Sequence, residues 1–333
     1  MADDIPIVDF TGFRDGDAQT RRRIGKALGH AAETVGFAVV AGHGVDPKLG
    51  HDLRDAGLRF FDLPADEKLA VRRPRDDQNR GYIPYGEETL VRMAGGDSPP
   101  DYKEVFAIGP DDVPATPYFT GPGSYPNFAP NLWPAAPADL RPKMLAYWEG
   151  MEGLMRMLGG AFCLGLDMPE TQFDDLLDGT HTSQLRLLHY PEVTRAVEPG
   201  QLRAGTHTDL GMMTILRNDP VPGGLQVQGR DGAWIDAPAV AETYILNIGD
   251  MLMRWSNDRL KSTPHRVVVP PQTAGAEARR LSIGFFVCPR YDAMVECFPT
   301  CRSAANPAKY PPVTVHDYRT NRFAAGAGVK RAS

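Results

Sequence analysis

From residue 183 to about residue 290 the chain is a succession of short apolar runs closed by glycine, proline or asparagine, and this texture restricts the fold more than any other feature. Residues 184–191, 212–216, 225–228, 234–235 and 243–250 have the length of strands and lack the three-to-four spacing of a helix. Gly229-Arg230-Asp231-Gly232 reads as a hairpin turn, and residues 219–224, rich in proline and glycine, as a second turn. Many short strands joined this way bury one face each only by closing into a barrel or a double-sheet jelly roll.

The amino-terminal half has another period. Over residues 138–166, Leu140, Met144, Leu145, Trp148, Met151, Leu154, Met155, Leu158 and Phe162 recur every three or four positions, one buried stripe of a long helix. The methionines in that stripe read as core packing. Residues 17–35 and 47–62 are also helical, with a short restart after Leu63-Pro64 and short strands at 5–10 and 36–41. A second short helix is expected at 169–178 and another from Thr314 to Phe323. Residues 72–135 are irregular and rich in glycine, proline and aromatics, as lid or binding loops are. The fold class is mixed α/β with a mainly β core. At 333 residues, 42% of them hydrophobic, the chain has ample material for such a core.

The chemistry centres on Gly205-Thr206-His207-Thr208-Asp209. In a strand, side chains at i and i+2 share a face, so His207 and Asp209 project together. A lone His-x-Asp is common by chance. Here a further histidine, His265, opens a β-rich run after Pro264, and two imidazoles with one carboxylate on one face suit Fe(II) with positions left open. Downstream, Arg280 and Ser282 share a strand face and offer a guanidinium fork and a hydroxyl to a carboxylate. Other polar residues read as structural: His43 in a glycine-flanked turn, His189 opposite Tyr190, Asn247 and Asp250 in a turn, Asn257 and Ser262 in the approach to His265. Arg266 faces away from the metal and suits an ion pair. Cys297-x-x-x-Cys301 lacks the second pair that a zinc site needs.

Composition removes several classes. The net charge of −6 is spread without blocks, giving no case for nucleic acid or membrane binding. No run approaches the roughly 18 apolar residues of a membrane span, and the start Met-Ala-Asp-Asp is unlike a secretory signal. Four cysteines in so long a chain read as reduced thiols, so a cytoplasmic protein is expected, without an obligate protein partner. No Gly-x-Gly-x-x-Gly loop is present for a nucleotide.

Taken together, His207-Thr208-Asp209, distant His265 and Arg280-x-Ser282 resemble the isopenicillin N synthase-like family of Fe(II)/2-oxoglutarate-dependent oxygenases. Ile5-Pro6-Ile7-Val8-Asp9-Phe10, the stretch from Val35 to Val45, Phe60-Phe61-Asp62-Leu63-Pro64 and Arg80-Gly81-Tyr82-Ile83-Pro84 resemble the family's amino-terminal motifs, so the likeness spans residues 5–290. It implies a double-stranded β-helix (a cupin-like jelly roll) with supporting helices and a helical amino-terminal region. The expected division is residues 1–135 as an amino-terminal region with substrate-covering loops, 136–300 as the jelly-roll core with its helix, and 301–333 as an extension, all in one compact unit. It implies His207, Asp209 and His265 as catalytic iron ligands. Arg280, Ser282 and Tyr190 are implied as the 2-oxoglutarate site, with Leu188 standing where plant relatives often carry asparagine. Tyr82 and Phe285 are candidate substrate contacts. The implied reaction consumes O2 and 2-oxoglutarate, releases succinate and CO2, and hydroxylates, desaturates or cyclises a small molecule, with specialised metabolism the habitual setting. Two alternatives stay open: a keto-acid-independent Fe(II) oxidase resembling isopenicillin N synthase, in which Arg280 and Ser282 would bind a substrate carboxylate, and a non-catalytic binding protein on the same scaffold.

Overall fold

The computed structural model describes residues 4–326 except 94–95, 97, 122, 194–196, 220, 222–223 and 271–278. The turn expected over 219–224 therefore lies partly outside the described residues.

The amino-terminal half supplies four strands and six helices: β1 (Ile7–Asp9), α1 (Ala18–Thr34), β2 (Phe37–Ala41), α2 (Pro47–Phe61), α3 (Ala65–Leu69), β3 (Gly81–Ile83), α4 (Leu90–Met93), β4 (Glu104–Ile108), α5 (Pro117–Thr120) and α6 (Leu140–Gly165). Local chemistry sets the helix ends. Asp17 accepts from the Thr20 amide at 2.7 Å to start α1, and Gly36 at φ +77° turns the chain out of it into β2. Asp46 caps α2, whose first residue is Pro47. The α6 stripe is buried as its period requires, with Tyr147 buried beside it and Leu145 only half-buried. Helix α1 crosses α6 at glycines. A Cβ on Gly25 would lie 2.7 Å from the Leu164 Cβ, and one on Gly29 would lie 3.1 Å from the Gly165 Cα.

Then follow β5 (Gln184–Tyr190), β6 (Ala204–His207), β7 (Met213–Arg217), β8 (Leu225–Gln228), β9 (Trp234–Asp236), β10 (Tyr244–Ile248), β11 (His265–Val267) and β12 (Arg280–Val287), with α7 (Asp250–Trp255) between β10 and β11. They form two sheets, an eight-stranded one in the order β1-β2-β10-β7-β12-β5-β4-β3 and a four-stranded one in the order β6-β11-β8-β9. Among the described residues only β1 and β2 pair in parallel in the large sheet. One of its faces belongs to the helices. Leu185, Leu187, Leu281, Ile283, Phe285 and Val287 join Phe60, Met151, Leu154 and Leu158 there. The opposite face, with Val39, Val105, Leu188, Tyr190 and Ile245, meets Leu225, Val227 and Val267 of the small sheet. This second cluster is the interior of the jelly roll, and the helices buttress it from outside.

Three expectations change. The stretch taken as irregular contributes β3 and β4, which extend the large sheet beside β5. At 169–178 successive turns and a short 3-10 segment, Asp174–Leu176, replace the expected helix, in a stretch whose Thr171, Asp174, Asp175 and Asp178 favour turns. The carboxy terminus adds β13 (Met294–Val295) and β14 (Val313–Thr314) before α8 (Val315–Gly326). Tyr318 and Arg322 of α8 donate to the Asp250 Oδ2 at 3.3 and 3.2 Å, so the helix is fastened beside the start of α7.

Candidate active site

His207 ends β6 and His265 begins β11, and these residues face each other in the antiparallel register of the small sheet. The rings lie 4.3 Å apart between centroids. Asp209, two residues beyond His207, brings its Oδ1 to 3.7 Å from the His207 Nε2 and 3.9 Å from the His265 Nε2. The three ligand atoms all fall within 4.8 Å of one another, so these side chains could hold one metal ion.

The surroundings fix which atoms point inward. His207 Nδ1 lies 2.7 Å from the Gly205 carbonyl and His265 Nδ1 3.1 Å from the Thr263 carbonyl. A carbonyl only accepts, so both Nδ1 atoms carry the proton and both Nε2 atoms keep a lone pair for a metal. Asp209 Oδ2 accepts from Thr214 Oγ1 at 2.5 Å and Asn247 Nδ2 at 2.8 Å, leaving Oδ1 to face the histidines. Thr214 and Asn247 are cross-strand partners of β7 and β10. Asn247, read from sequence as a turn residue, thus positions the carboxylate. Burial, together with the His265 ring, pushes the His207 imidazole down to about 3. For Asp209 burial works upward, but both imidazoles and its two donors outweigh it and hold the carboxyl below its ordinary range. A neutral imidazole beside an ionised carboxylate is the pair of protonation states that metal ligation needs.

A cavity of about 350 Å³ opens from these ligands. Its inner wall carries Leu188, Tyr190, Ala204, Leu225 and Val267. Behind it Arg280, directly opposite Tyr190 in the β5–β12 register, is buried and donates from Nε to the Ser282 Oγ at 3.2 Å. Ser282 in turn donates to the Asn218 Oδ1 at 2.9 Å. The fully buried Arg203 guanidinium lies 5.6 Å from the Tyr190 ring. Burial raises the Tyr190 hydroxyl, while Lys103, Arg280 and Arg203 pull it back. Arg280, Arg203 and the Ser282 hydroxyl thus gather behind Tyr190, a set of groups that suits a carboxylate.

Two of the sequence candidates are corrected. Along β12 Phe286 lines the cavity, with Arg280 and Ser282 on the same strand face but behind its wall, so Phe285 points the other way into the helix layer, edge-on to Trp148 at 5.0 Å. Along β3, Ile83 faces the jelly-roll interior while Tyr82 faces the helices. There Tyr82 donates to the Glu104 Oε2 at 2.5 Å. The outer cavity wall is instead Gln184, Arg186, Phe286, Cys288, Glu88 and Arg319. Strand parity from Tyr190 would have found Gln184 and Arg186. Glu88, on a loop, and Arg319, on α8, had no such signal. The residues read as structural behave so: His43 accepts from the Val45 amide, and His189 contacts Glu104 at 2.8 Å and stacks on Phe61. Arg266 turns outward, where it lies 4.0 Å over Trp234 and donates to Gln226, with no ion pair among the described residues.

Residues 5–136 match the family described as "non-haem dioxygenase in morphine synthesis N-terminal", and residues 181–289 match the "2OG-Fe(II) oxygenase superfamily". A 2-oxoglutarate-Fe(II) type oxidoreductase of Emericella nidulans is 34% identical over 94% of this chain and 87% of its own length. The chain belongs to the 2-oxoglutarate-Fe(II) oxygenases. Validamycin A dioxygenase of Streptomyces hygroscopicus subsp. limoneus is 32% identical over 95% of this chain and 84% of its own. Among solved structures, a full-length Neurospora crassa protein in complex with alpha-KG and thymine superposes with a TM-score of 0.84 at 34% identity, covering 96% of both chains. The fold is that of this oxygenase family, and the enzyme is an oxidoreductase that uses Fe(II), O2 and 2-oxoglutarate.

Proposed function

We propose that His207, Asp209 and His265 are the Fe(II) ligands of this oxygenase, that Arg280, Ser282 and Tyr190 receive the far carboxylate of 2-oxoglutarate, and that the outer cavity holds a small organic substrate. The observation that carries the reading is a three-ligand cluster on a cavity whose wall includes Tyr190, with Arg280 directly across the β5–β12 pairing from that tyrosine and bonded to Ser282. The relatives point the same way, since the Neurospora crassa protein binds thymine and another relative is named for validamycin A, both small molecules.

With iron bound, O2 and 2-oxoglutarate supply the oxidising power and succinate and CO2 leave. This chain's residues do the rest. Gly205 and Thr263 carbonyls keep both imidazoles in the ligating tautomer, and Thr214 with Asn247 holds the Asp209 carboxylate in line. Arg280 fixes the keto acid at its far end, so its reactive end meets the metal in a constant orientation. Leu188, Leu225 and Val267 exclude water along the way, and Phe286 forms part of the wall beside the substrate. Among the described residues no helix is long and apolar enough to cross a membrane. The four cysteines are buried free thiols, which supports a cytoplasmic setting.

The test is turnover of 2-oxoglutarate, followed as succinate, with Fe(II) and O2 in the presence of candidate substrates. Succinate release that requires Fe(II) and disappears in Asp209→Ala is the expected result. Substrate oxidation that proceeds at full rate without 2-oxoglutarate would overturn the keto-acid assignment and return the chain to the isopenicillin N synthase-like alternative.

A further inference from the structure

The charges around the cavity do not balance. Four carboxylates line it, and each is committed: Asp209 to the metal cluster, Asp76 to Arg73, Glu87 to Arg72, and Glu88 to Arg186 and Lys103. Lys103 is further matched by Asp101 at 2.6 Å. Arg319 is different. It reaches the cavity from α8, is 8% exposed, and donates from Nη1 to the Asn127 Oδ1 at 2.6 Å and the Thr182 Oγ1 at 3.3 Å, both neutral. Behind it Arg80, 1% exposed, donates to the Asn79 and Asn127 carbonyls, also neutral. Among the described residues neither guanidinium has a carboxylate partner.

Burying a cation without a counter-charge is costly, and burying two side by side more so. Burial and Arg319 together bring the Arg80 guanidinium down to about 9, the mark of that cost. Arg319, Cys288 and Asp209 all line this one cavity. The uncompensated charge therefore borders the same cavity as the metal cluster, whereas Arg280 stands behind its wall. A fold that maintains such a site leaves room for an anion that arrives with the ligand.

We propose that Arg319 is the anchor for a carboxylate carried by the primary substrate, an inference that rests on the oxygenase reading above. Arg280 and Arg319 then divide the cavity between two acids, 2-oxoglutarate at the inner end and the substrate at the outer. Phe286, 5.6 Å from the Arg186 guanidinium, offers the substrate's body an apolar face between them.

The experiment is anaerobic calorimetry on the Fe(II)-loaded enzyme saturated with 2-oxoglutarate, so that the inner site is filled. The probes are benzoate, phenylacetate and 1-naphthoate, each beside its amide, which keeps the shape and removes the charge. At least one acid should bind about tenfold or more tightly than its amide, the size expected of a charge-assisted contact. That preference should vanish in Arg319→Gln. Asn127→Asp gives a second route that keeps the arginine: a carboxylate supplied by the protein should satisfy Arg319 and erase the preference for acids. Equal binding of all acids and amides, or a preference that survives unchanged in Arg319→Gln, would overturn the proposal. The visible band of 2-oxoglutarate chelated to Fe(II), read on the wild-type enzyme before any probe is added, tests the underlying oxygenase reading separately.

Discussion

Asp209 shows how a single side chain is divided between structure and chemistry. One oxygen is occupied by Thr214 and Asn247, and this is what aims the other at the two imidazoles. Asn247→Ala or Thr214→Val should therefore weaken metal binding by about 10–100-fold while leaving all three ligands in place. A metal titration followed by fluorescence quenching checks this, and unchanged affinity in both variants would show that Asp209 needs no support. Glu88 makes a different residue-level claim. Its burial works against ionisation, but Arg186 and Lys103 overcome this and hold its carboxyl well below its ordinary 4.5. A lowered folded pKa stabilises the protein fully above the unfolded value and is lost as pH falls through the folded one. Glu88→Gln should thus cost about 3–5 kcal/mol at pH 7, because it leaves two buried cations short of a partner. Urea denaturation at pH 7, 4.5 and 3.5 should show the difference between variant and wild type shrinking as the pH drops below about 4.5. Which residues were readable in the sequence follows from the same geometry. The i, i+2 rule placed Arg280 with Ser282, and carried forward along β12 it selects Phe286 over Phe285; His207 and Asp209 also meet as expected, although β6 ends at His207 and Asp209 lies beyond the strand. Contacts that join separate elements, such as Asn247 to Asp209 or Arg319 to Asn127, leave no local pattern to read.

The long helices and the short strands set between clear turns were readable, whereas β3 and β4, in a stretch rich in glycine and proline, were not. The stripe of α6 fixed its extent because many positions repeat one message, whereas three residues of β3 hold too few turns of any period to be told from loop. What the pattern could not show is how closely two helices approach. Gly25 and Gly29 allow α1 to lie against α6 with no side chain between them. Gly25→Ala would press its Cβ to 2.8 Å from the Ala161 carbonyl oxygen and should destabilise the fold by about 1–3 kcal/mol. Gly153→Ala, on α6 and with nothing nearer than an Arg14 nitrogen at 3.9 Å, should instead stabilise by about 0.5–1 kcal/mol. Thermal melts of the two variants should move in opposite directions. A shared direction would mean that the α1–α6 crossing is not tight.

At the scale of the whole molecule, the amino-terminal strands are part of the same sheet as the strands of the jelly roll. The large sheet runs from β1 and β2 through β10, β7, β12 and β5 to β4 and β3, so early and late segments of the sequence meet across one hydrogen-bonded surface. That arrangement puts Arg280 and Ser282 in the large sheet and His207 and His265 in the small one, with the cavity between. The family was legible because its ligands sit at fixed strand positions; the cavity's outer half was not, because loops and α8 build it. The central claim is that the two sheets hold a keto acid between the iron ligands and Arg280. Anaerobic titration of the Fe(II)-loaded protein with 2-oxoglutarate tests it most directly. A saturable visible charge-transfer band is expected, lost in Asp209→Ala and requiring about 10–100-fold more 2-oxoglutarate in Arg280→Ala. Iron demonstrably bound with no band at any 2-oxoglutarate concentration would contradict it.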